Sequence, residues 1–448
     1  MDCLKDCLKK IVFFSITFFL FGCAHSFFNK NIWKPNYKVY RDIFPNGLTV
    51  LFVEDHSVPL VSYITWFKVG SSVEKKGSTG IAHLFEHLMF KGTPRFGPKQ
   101  FFKTLESKGA VLNAFTQKDA TVYYEMIASE HLELVIDMET DRLKNLTFSQ
   151  KDLNSEREVV QQERKLRVES SFNAQHLEKF YELAFPDHPY GRPIIGYEKD
   201  LEKLTLNECN VFFKTYYQPS NAIVVIAGGF QYEKAKELIK KYYPLTSSIS
   251  SQKREVPEFA PPGKEIRFKL SKPVKTETLL MGYYIPSLYH ADSPKLSMLA
   301  WALFGMSSSQ AQQILIREKK IALSVGAHST LEQQRSLFVI SAEMKTNEPA
   351  SKAEMEIEKL LEEMKTKHLS DAELERVKNR LVYSTINDAK SPTSFANSLA
   401  SGEFFWGDHM HIFKMLNDYY KMEAHDLQEV AKKYFNKENR VVVVMQPI

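Results

Sequence analysis

His83, Glu86 and His87 carry the strongest chemical signal in the chain, in the order His83-Leu84-Phe85-Glu86-His87. On a helix, residues i and i+4 project from one face, one turn apart. Two neutral imidazoles so placed can both reach one tetrahedral zinc ion. Glu86 falls on the same face, beside the metal rather than on it. A carboxylate there can take a proton from water at the metal and pass it to a leaving amine.

A three-ligand zinc site needs one more side chain and an open position. The helical stretch after Ser149 offers Glu156, Glu158 and Glu163. Glu156 and Glu163 are seven apart and share a face, whereas Glu158 points elsewhere. Spacing does not choose between Glu156 and Glu163. The neighbouring Arg157, Arg164, Lys165 and Arg167 read as a charged, exposed face.

Other chemical-looking residues weigh less. In Asp408-His409-Met410-His411 the alternating histidines share a side only on a strand, and the segment reads as an exposed loop. His188, before Pro189, reads as structural. Phe404-Phe405-Trp406 reads as core or interface. Gly228-Gly229 follows a strand but lacks a phosphate-loop pattern.

The elements that must position these groups are legible. Asn46-Gly47 signals a tight turn before a strand at Leu48 to Val53. Leu60 to Val69, behind Pro59, reads as its partner strand. Ser78 to Phe90 reads as the helix carrying the histidines, capped by Ser78 or Thr79, with Gly92 past its end. Lys99 to Lys108 reads as a further helix, and Val111 to Thr116 and Thr121 to Ile127 as strands. Ser149 caps the glutamate-bearing helix, with Asp152 closing a short capping box.

The chain also repeats itself. Tyr216-Tyr217, Asn221 and Ile223-Val224-Val225 recur as Tyr434-Phe435, Asn439 and Val441-Val442-Val443, at a constant offset of 434 − 216 = 218. That offset is far longer than a solenoid period of roughly 20–50. Between the copies lies a Ser-rich and Pro-rich stretch with linker composition. The fold expected is α+β: two similar domains, each an antiparallel-type sheet packed with helices. The expected division is 40–245, a linker at 246–263, and 264–448.

Composition agrees. The 448 residues are 44% hydrophobic and 25% charged, which is globular composition. A net charge of +5 with no concentrated basic stripe excludes a nucleic-acid partner. Lysines at 5, 9 and 10 precede an apolar run from Ile11 to Phe21, too short to span a bilayer. This reads as a secretory signal over 1–22. Its Leu20-Phe21-Gly22-Cys23 ending resembles the lipobox of bacterial lipoproteins, which implies lipidation of Cys23, a tether at 23–39 and membrane anchoring. With Cys3 and Cys7 removed and Cys23 acylated, only Cys209 remains, and it reads as a small core residue.

H-x-x-E-H is the inverted-zincin signature. Its surroundings resemble the pitrilysin and mitochondrial processing peptidase family of zinc metallopeptidases. The matching residues are Gly80 through Thr93, Asn113-Ala114-Phe115-Thr116, Glu156 through Glu163, His188-Pro189-Tyr190-Gly191 and Ile195-Gly196. The likeness is dense over residues of about 40–230 and weaker beyond. It implies one zinc ion per chain, held by His83, His87 and Glu163, with Glu86 as catalytic base and Glu156 supporting the site without ligating. It further implies that Asn113, Ala114 and Phe115 form an edge strand that takes an extended peptide by strand addition. The second half, without the motif, resembles the non-catalytic domain that closes over the peptide. Gln310 or Ala311, and Leu323, stand where many active relatives have an Arg and a Tyr. That departure implies a weaker enzyme or a partner supplying these groups.

Chains of this length form half of a clamshell chamber in that family, so a homodimer or a heterodimer with a related chain is expected. The expected activity is a zinc metalloendopeptidase acting on unfolded or short peptides in the bacterial periplasm, anchored through Cys23, most simply to the outer membrane. The alternative is a catalytically weak or silent scaffold or binding subunit of the same fold that pairs with another peptidase chain.

Overall fold

The computed structural model describes residues 37–243 and 256–448. The signal segment, Cys23, most of the tether and the first part of the linker lie outside these residues.

Two sheets organise the described residues. The first contains β1 (Val39–Ile43), β2 (Thr49–Glu54), β3 (Leu60–Phe67), β4 (Val111–Thr116), β5 (Thr121–Ala128) and β6 (Ala222–Gly228), in the order β1-β2-β6-β3-β5-β4. The second contains β7 (Ile266–Lys272), β8 (Thr278–Ile285), β9 (Ala322–Ser329), β10 (Ser336–Met344) and β11 (Arg440–Pro447), in the order β7-β11-β8-β10-β9. Each sheet is antiparallel except for one parallel pair, β2 with β6 and β7 with β11.

The Asn46-Gly47 turn forms as expected. Asn46 accepts from the Leu48 amide at 3.1 Å, and Gly47 adopts φ +84°. A Cβ on Gly47 would also lie 2.7 Å from the Ser220 Cβ, so glycine is required twice over. The strands at 49–54 and 60–67 do not pair with each other. β6 lies between them, parallel to one and antiparallel to the other. Its sequence, Ala-Ile-Val-Val-Ile-Ala-Gly, is buried at every position, so it occupies the sheet centre, where both faces are covered.

The repeat is structural. Helix Leu206–Tyr216 leads into β6, and helix Ala424–Tyr434 leads into β11, displaced by 218 residues at start and end. Asn221 donates to the carbonyls of Tyr216 at 2.8 Å and Lys68 at 3.3 Å. Asn439 donates to those of Tyr434 at 2.9 Å and Tyr284 at 2.8 Å. In each copy, one amide satisfies a helix-end carbonyl and ties it to the antiparallel neighbour strand.

The halves exchange helices. Helix Phe172–Ala184, from the first half, packs on the second sheet: His176 Nε2 lies 3.0 Å from the Val443 carbonyl, and the Tyr284 hydroxyl donates to Ala184. Helix Pro392–Trp406, from the second half, packs on β3 and β6. There Trp66 donates to Asn397 at 3.1 Å, and Arg41 pairs with Glu403 at 2.7 Å. Phe404 and Phe405 flank the Trp66 ring, so the aromatic run is interface. The Asp408–His411 segment differs from the exposed loop expected. It is half-buried, and His411 opens a helix and stacks on Trp406 at 4.0 Å.

Candidate metal centre

The motif helix spans Ile81–Leu88. Ile81, Ala82, Leu84, Phe85 and Leu88 are buried in the first core, which leaves His83, Glu86 and His87 on the opposite side. Neither Ser78 nor Thr79 caps it. The N-cap is Gly80 at φ +88°, which has no side chain to offer. Glu74 does the capping from outside the helix, its two oxygens accepting from the Gly80 and Ala82 amides at 2.9 Å each. Burial pushes the Glu74 carboxyl up to about 8, against the two amide bonds that favour its charged form. Ser78 and Thr79 are engaged elsewhere, by Glu208 and Asp200. Gly80 is pressed against Ile195-Gly196, and a Cβ would lie 2.6 Å from the Ile195 carbonyl.

The glutamates sit on helix Gln150–Arg164, which begins with the Ser149/Asp152 capping box as expected. Glu163 faces both histidines: 3.8 Å from Oε1 to His83 Nε2 and 3.4 Å from Oε2 to His87 Nε2. A tetrahedral zinc with bonds near 2.0–2.1 Å has ligand-to-ligand edges of about 3.3 Å. The three side chains are therefore spaced to close on one ion with small adjustments. Among the described residues, they form the group of His, Cys, Asp and Glu side chains that could hold a metal, with ligand atoms within 4.8 Å of one another. Glu156 faces the other side of the imidazole, with Oε2 3.3 Å from His87 Nδ1 and Oε1 2.5 Å from Lys91 Nζ. That is how an outer carboxylate fixes a ligand histidine's tautomer. Spacing left Glu156 and Glu163 open, and the geometry separates them.

The electrostatics suit a cation. Burial, with His87 and Arg167 nearby, holds the His83 imidazole neutral, its pKa lowered to about 3. Burial lowers His87 too, but Glu156, Glu86 and Glu163 outweigh it and the net shift is upward. Carboxylates that favour a proton at that ring favour a dication in the proton's place. Burial raises the Glu86 carboxyl against the opposing Thr116 hydrogen bond, the direction a general base needs. The Thr116 hydroxyl donates to Glu86 Oε2 at 2.6 Å, a contact the sequence did not signal.

Among the described residues, β4 is the outer strand of its sheet and pairs with β5 alone. Asn113, Ala114 and Phe115 line the same groove as His83, Glu86, His87 and Glu163, a cavity of about 1110 Å³ reaching the second half at Glu332 and Phe405. Gln310, Ala311 and Leu323 are not among its lining residues. Gln310 donates to Glu373, Ala311 is buried, and Leu323 is exposed on β9. His188 is structural, with Nε2 2.8 Å from the Pro257 carbonyl. Cys209 is buried, which pushes its thiol pKa up to about 12, as for a core residue.

Comparison with known proteins accords with this geometry. Residues 49–198 match the family described as insulinase (peptidase family M16), and residues 203–381 match the peptidase M16 inactive domain. The zinc protease PqqE of Helicobacter pylori is 28% identical over 406 residues, 90% of this chain and 91% of that protein. The crystal structure of a protease from Helicobacter pylori superposes with a TM-score of 0.86 at 28% identity, covering 92% of this chain and all of that one. The periplasmic protease PqqL of Escherichia coli shares the fold, with a TM-score of 0.77 at 18% identity; 93% of this chain covers 48% of that one. Two consecutive domain matches, and a fold shared along nearly the whole described length, make this chain a member of peptidase family M16, the insulinase type.

Proposed function

We propose that the chain is a zinc-dependent endopeptidase that hydrolyses unfolded or short peptides in the bacterial envelope. The observation that carries this reading is the convergence of His83, His87 and Glu163 beside Glu86, in a groove lined by β4, the edge strand of its sheet among the described residues. Zinc, when held there, would polarise the scissile carbonyl and acidify water. Glu86 takes the proton as water oxygen adds to the carbonyl carbon, and returns it to the amide nitrogen as the C–N bond breaks. Thr116 orients the carboxylate of Glu86. Glu156, itself paired with Lys91, holds His87, and β4 aligns the peptide backbone through strand addition. Asn113 is the polar side chain of that strand assigned to the peptide. Its Oδ1 now accepts from the Ala114 amide at 2.9 Å.

The full-length chain should hold about one zinc ion and cleave a quenched unstructured peptide. Glu86→Gln should keep the metal and lose most activity, by about 10²–10⁴-fold. Zinc binding with no turnover by either protein would favour the rival reading, a silent subunit that pairs with another chain. Gln310, Ala311 and Leu323 give that rival its footing.

Pairing itself is part of the proposal. The chain spans about half of PqqL, so two copies, or this chain and a related one, would complete a comparable chamber. Periplasmic location is supported by the description of that same neighbour, and no helix among the described residues is long and apolar enough to cross a membrane. Anchoring through Cys23 predicts a diacylglyceryl cysteine at the mature N-terminus. A mass for an unmodified start at Ala24 or beyond would refute it.

A further inference from the structure

The turn between β4 and β5, residues 117–120, reaches the second half. Its backbone is held within the first half: the Ser71 and Ser72 amides donate to the carbonyls of Gln117 at 3.2 Å and Lys118 at 2.7 Å. Gly70 lies so close that a Cβ there would collide with the Gln117 carbonyl. The side chains of the turn engage the second half instead. Lys118 Nζ lies 3.0 Å from Glu332 Oε1, in the connection between β9 and β10, and the two side chains are only 13% and 12% exposed. The same ammonium lies 4.2, 5.2 and 5.7 Å from the ring centres of Tyr181, Tyr190 and Phe185. Tyr190 and Phe185 belong to the core beneath the second sheet, and Tyr181 packs against it. Asp119, the next residue, accepts from Ser72 at 2.8 Å, Tyr190 at 3.3 Å and the Gln333 amide.

An ammonium withdrawn from water needs replacement partners, and here one carboxylate and three ring faces supply them. Glu332 is itself fixed. Its amide donates to Ser336 Oγ at 3.1 Å, and its carbonyl accepts from the Leu288 amide at 3.0 Å. A charge on the first sheet's hairpin is thus seated on an anchored point of the second half. Two residues back along that hairpin stands Thr116, whose hydroxyl holds Glu86 Oε2 at 2.6 Å. The Gln117 amide donates to the Ala120 carbonyl at 2.7 Å and closes the turn, so a tight hairpin rather than a slack loop joins Lys118 to Thr116.

We propose that Lys118 is a positioning residue: seated on Glu332 and the three rings, it fixes the β4–β5 hairpin from the second half and so places Thr116 against Glu86. This rests on reading Glu86 as the base. The second half then acts on the chemical step through the hairpin, without lending a group to it. Loss of the seat should slow turnover by about 2- to 30-fold, the range that packed contacts carry between sites.

The test is a mutant cycle on kcat for a quenched unstructured peptide, made in the full-length chain. Lys118→Met alone would strand Glu332, so it is combined with Glu332→Gln, which removes both charges together. This charge-free pair should lower kcat by about 2- to 30-fold while zinc content stays at the parent level. Lys118→Arg, which keeps a cation over the rings, should retain most of the activity. Added to Thr116→Val, the charge-free pair should cause little further loss, because residues that act through one contact are not additive. A merely structural Lys118 would multiply the two losses. That result, or parent-level kcat in the charge-free pair, overturns the positioning role. A parent that cleaves nothing removes the peptidase reading, and the seat is then judged by hydrogen exchange. The β4 amides should exchange about 2- to 30-fold faster in the charge-free pair than in the parent. Unchanged exchange overturns it.

Discussion

Thr116 donates its hydroxyl proton to Glu86 Oε2 across 2.6 Å, joining the last residue of β4 to the carboxylate between the two motif histidines. The strand proposed to align the peptide therefore also holds the proposed base. A hydrogen bond to a charged acceptor contributes about 1.5–3 kcal/mol. Thr116→Val should lower kcat/KM by about ten- to a hundredfold while zinc content stays at the parent level, and Thr116→Ser should restore most of it. Parent-level turnover in the valine variant would show the contact to be incidental.

Glu156 touches His87 at the nitrogen turned away from Glu163. Its removal should loosen the metal rather than abolish its site. Glu156→Gln is expected to weaken zinc affinity by about 10- to 100-fold. Competition with a chromogenic chelator reads this directly. An unshifted affinity would show that His87 is oriented by packing alone.

Glu74 caps the motif helix from outside it. Glu74→Ala strands two buried amides, each costing about 1–3 kcal/mol. Denaturant unfolding should report a loss of that size, and Glu74→Gln, which keeps one acceptor oxygen, should recover part of it. A full-strength alanine variant would mean that water or another group replaces the cap.

Asp119 supplies a pH signature away from the metal. Burial, with Glu332 nearby, raises its pKa from an ordinary 3.8 to about 6. The folded state therefore holds this proton more tightly than the unfolded chain. The associated stability is complete below about pH 4 and is lost as pH rises to about 6, a swing of about 3 kcal/mol. Asp119→Asn should flatten that component, so the stability difference between variant and parent grows in the variant's favour from pH 4 to pH 6. A constant difference over that range would place the titration elsewhere.

Local pattern carried much of the architecture. β4 and β5 stand within a residue of their expected spans, and the Ser149/Asp152 box forms because both partners lie within one helical turn. The Tyr-Asn-Val repeat marked two helix-to-strand units because each depends on an asparagine five residues from the carbonyl it satisfies. The cap of the motif helix was misread for the opposite reason. Ser78 and Thr79 have the right chemistry and position, but Glu208 and Asp200, distant in sequence, compete for them.

Sequence alone determined that two histidines and a glutamate share one helical face, since helical periodicity is a property of neighbours. It also determined that two similar halves follow one another. Only the tertiary structure decided which distant glutamate meets both imidazoles: Glu156 and Glu163 share a face, but Glu163 reaches His83 as well as His87, and Glu156 reaches the other side of His87. Tertiary packing likewise decided that β6 divides β2 from β3 and that each half lends a helix to the other's sheet. Those choices follow from burial of apolar surface between segments far apart in the chain, which no local spacing encodes.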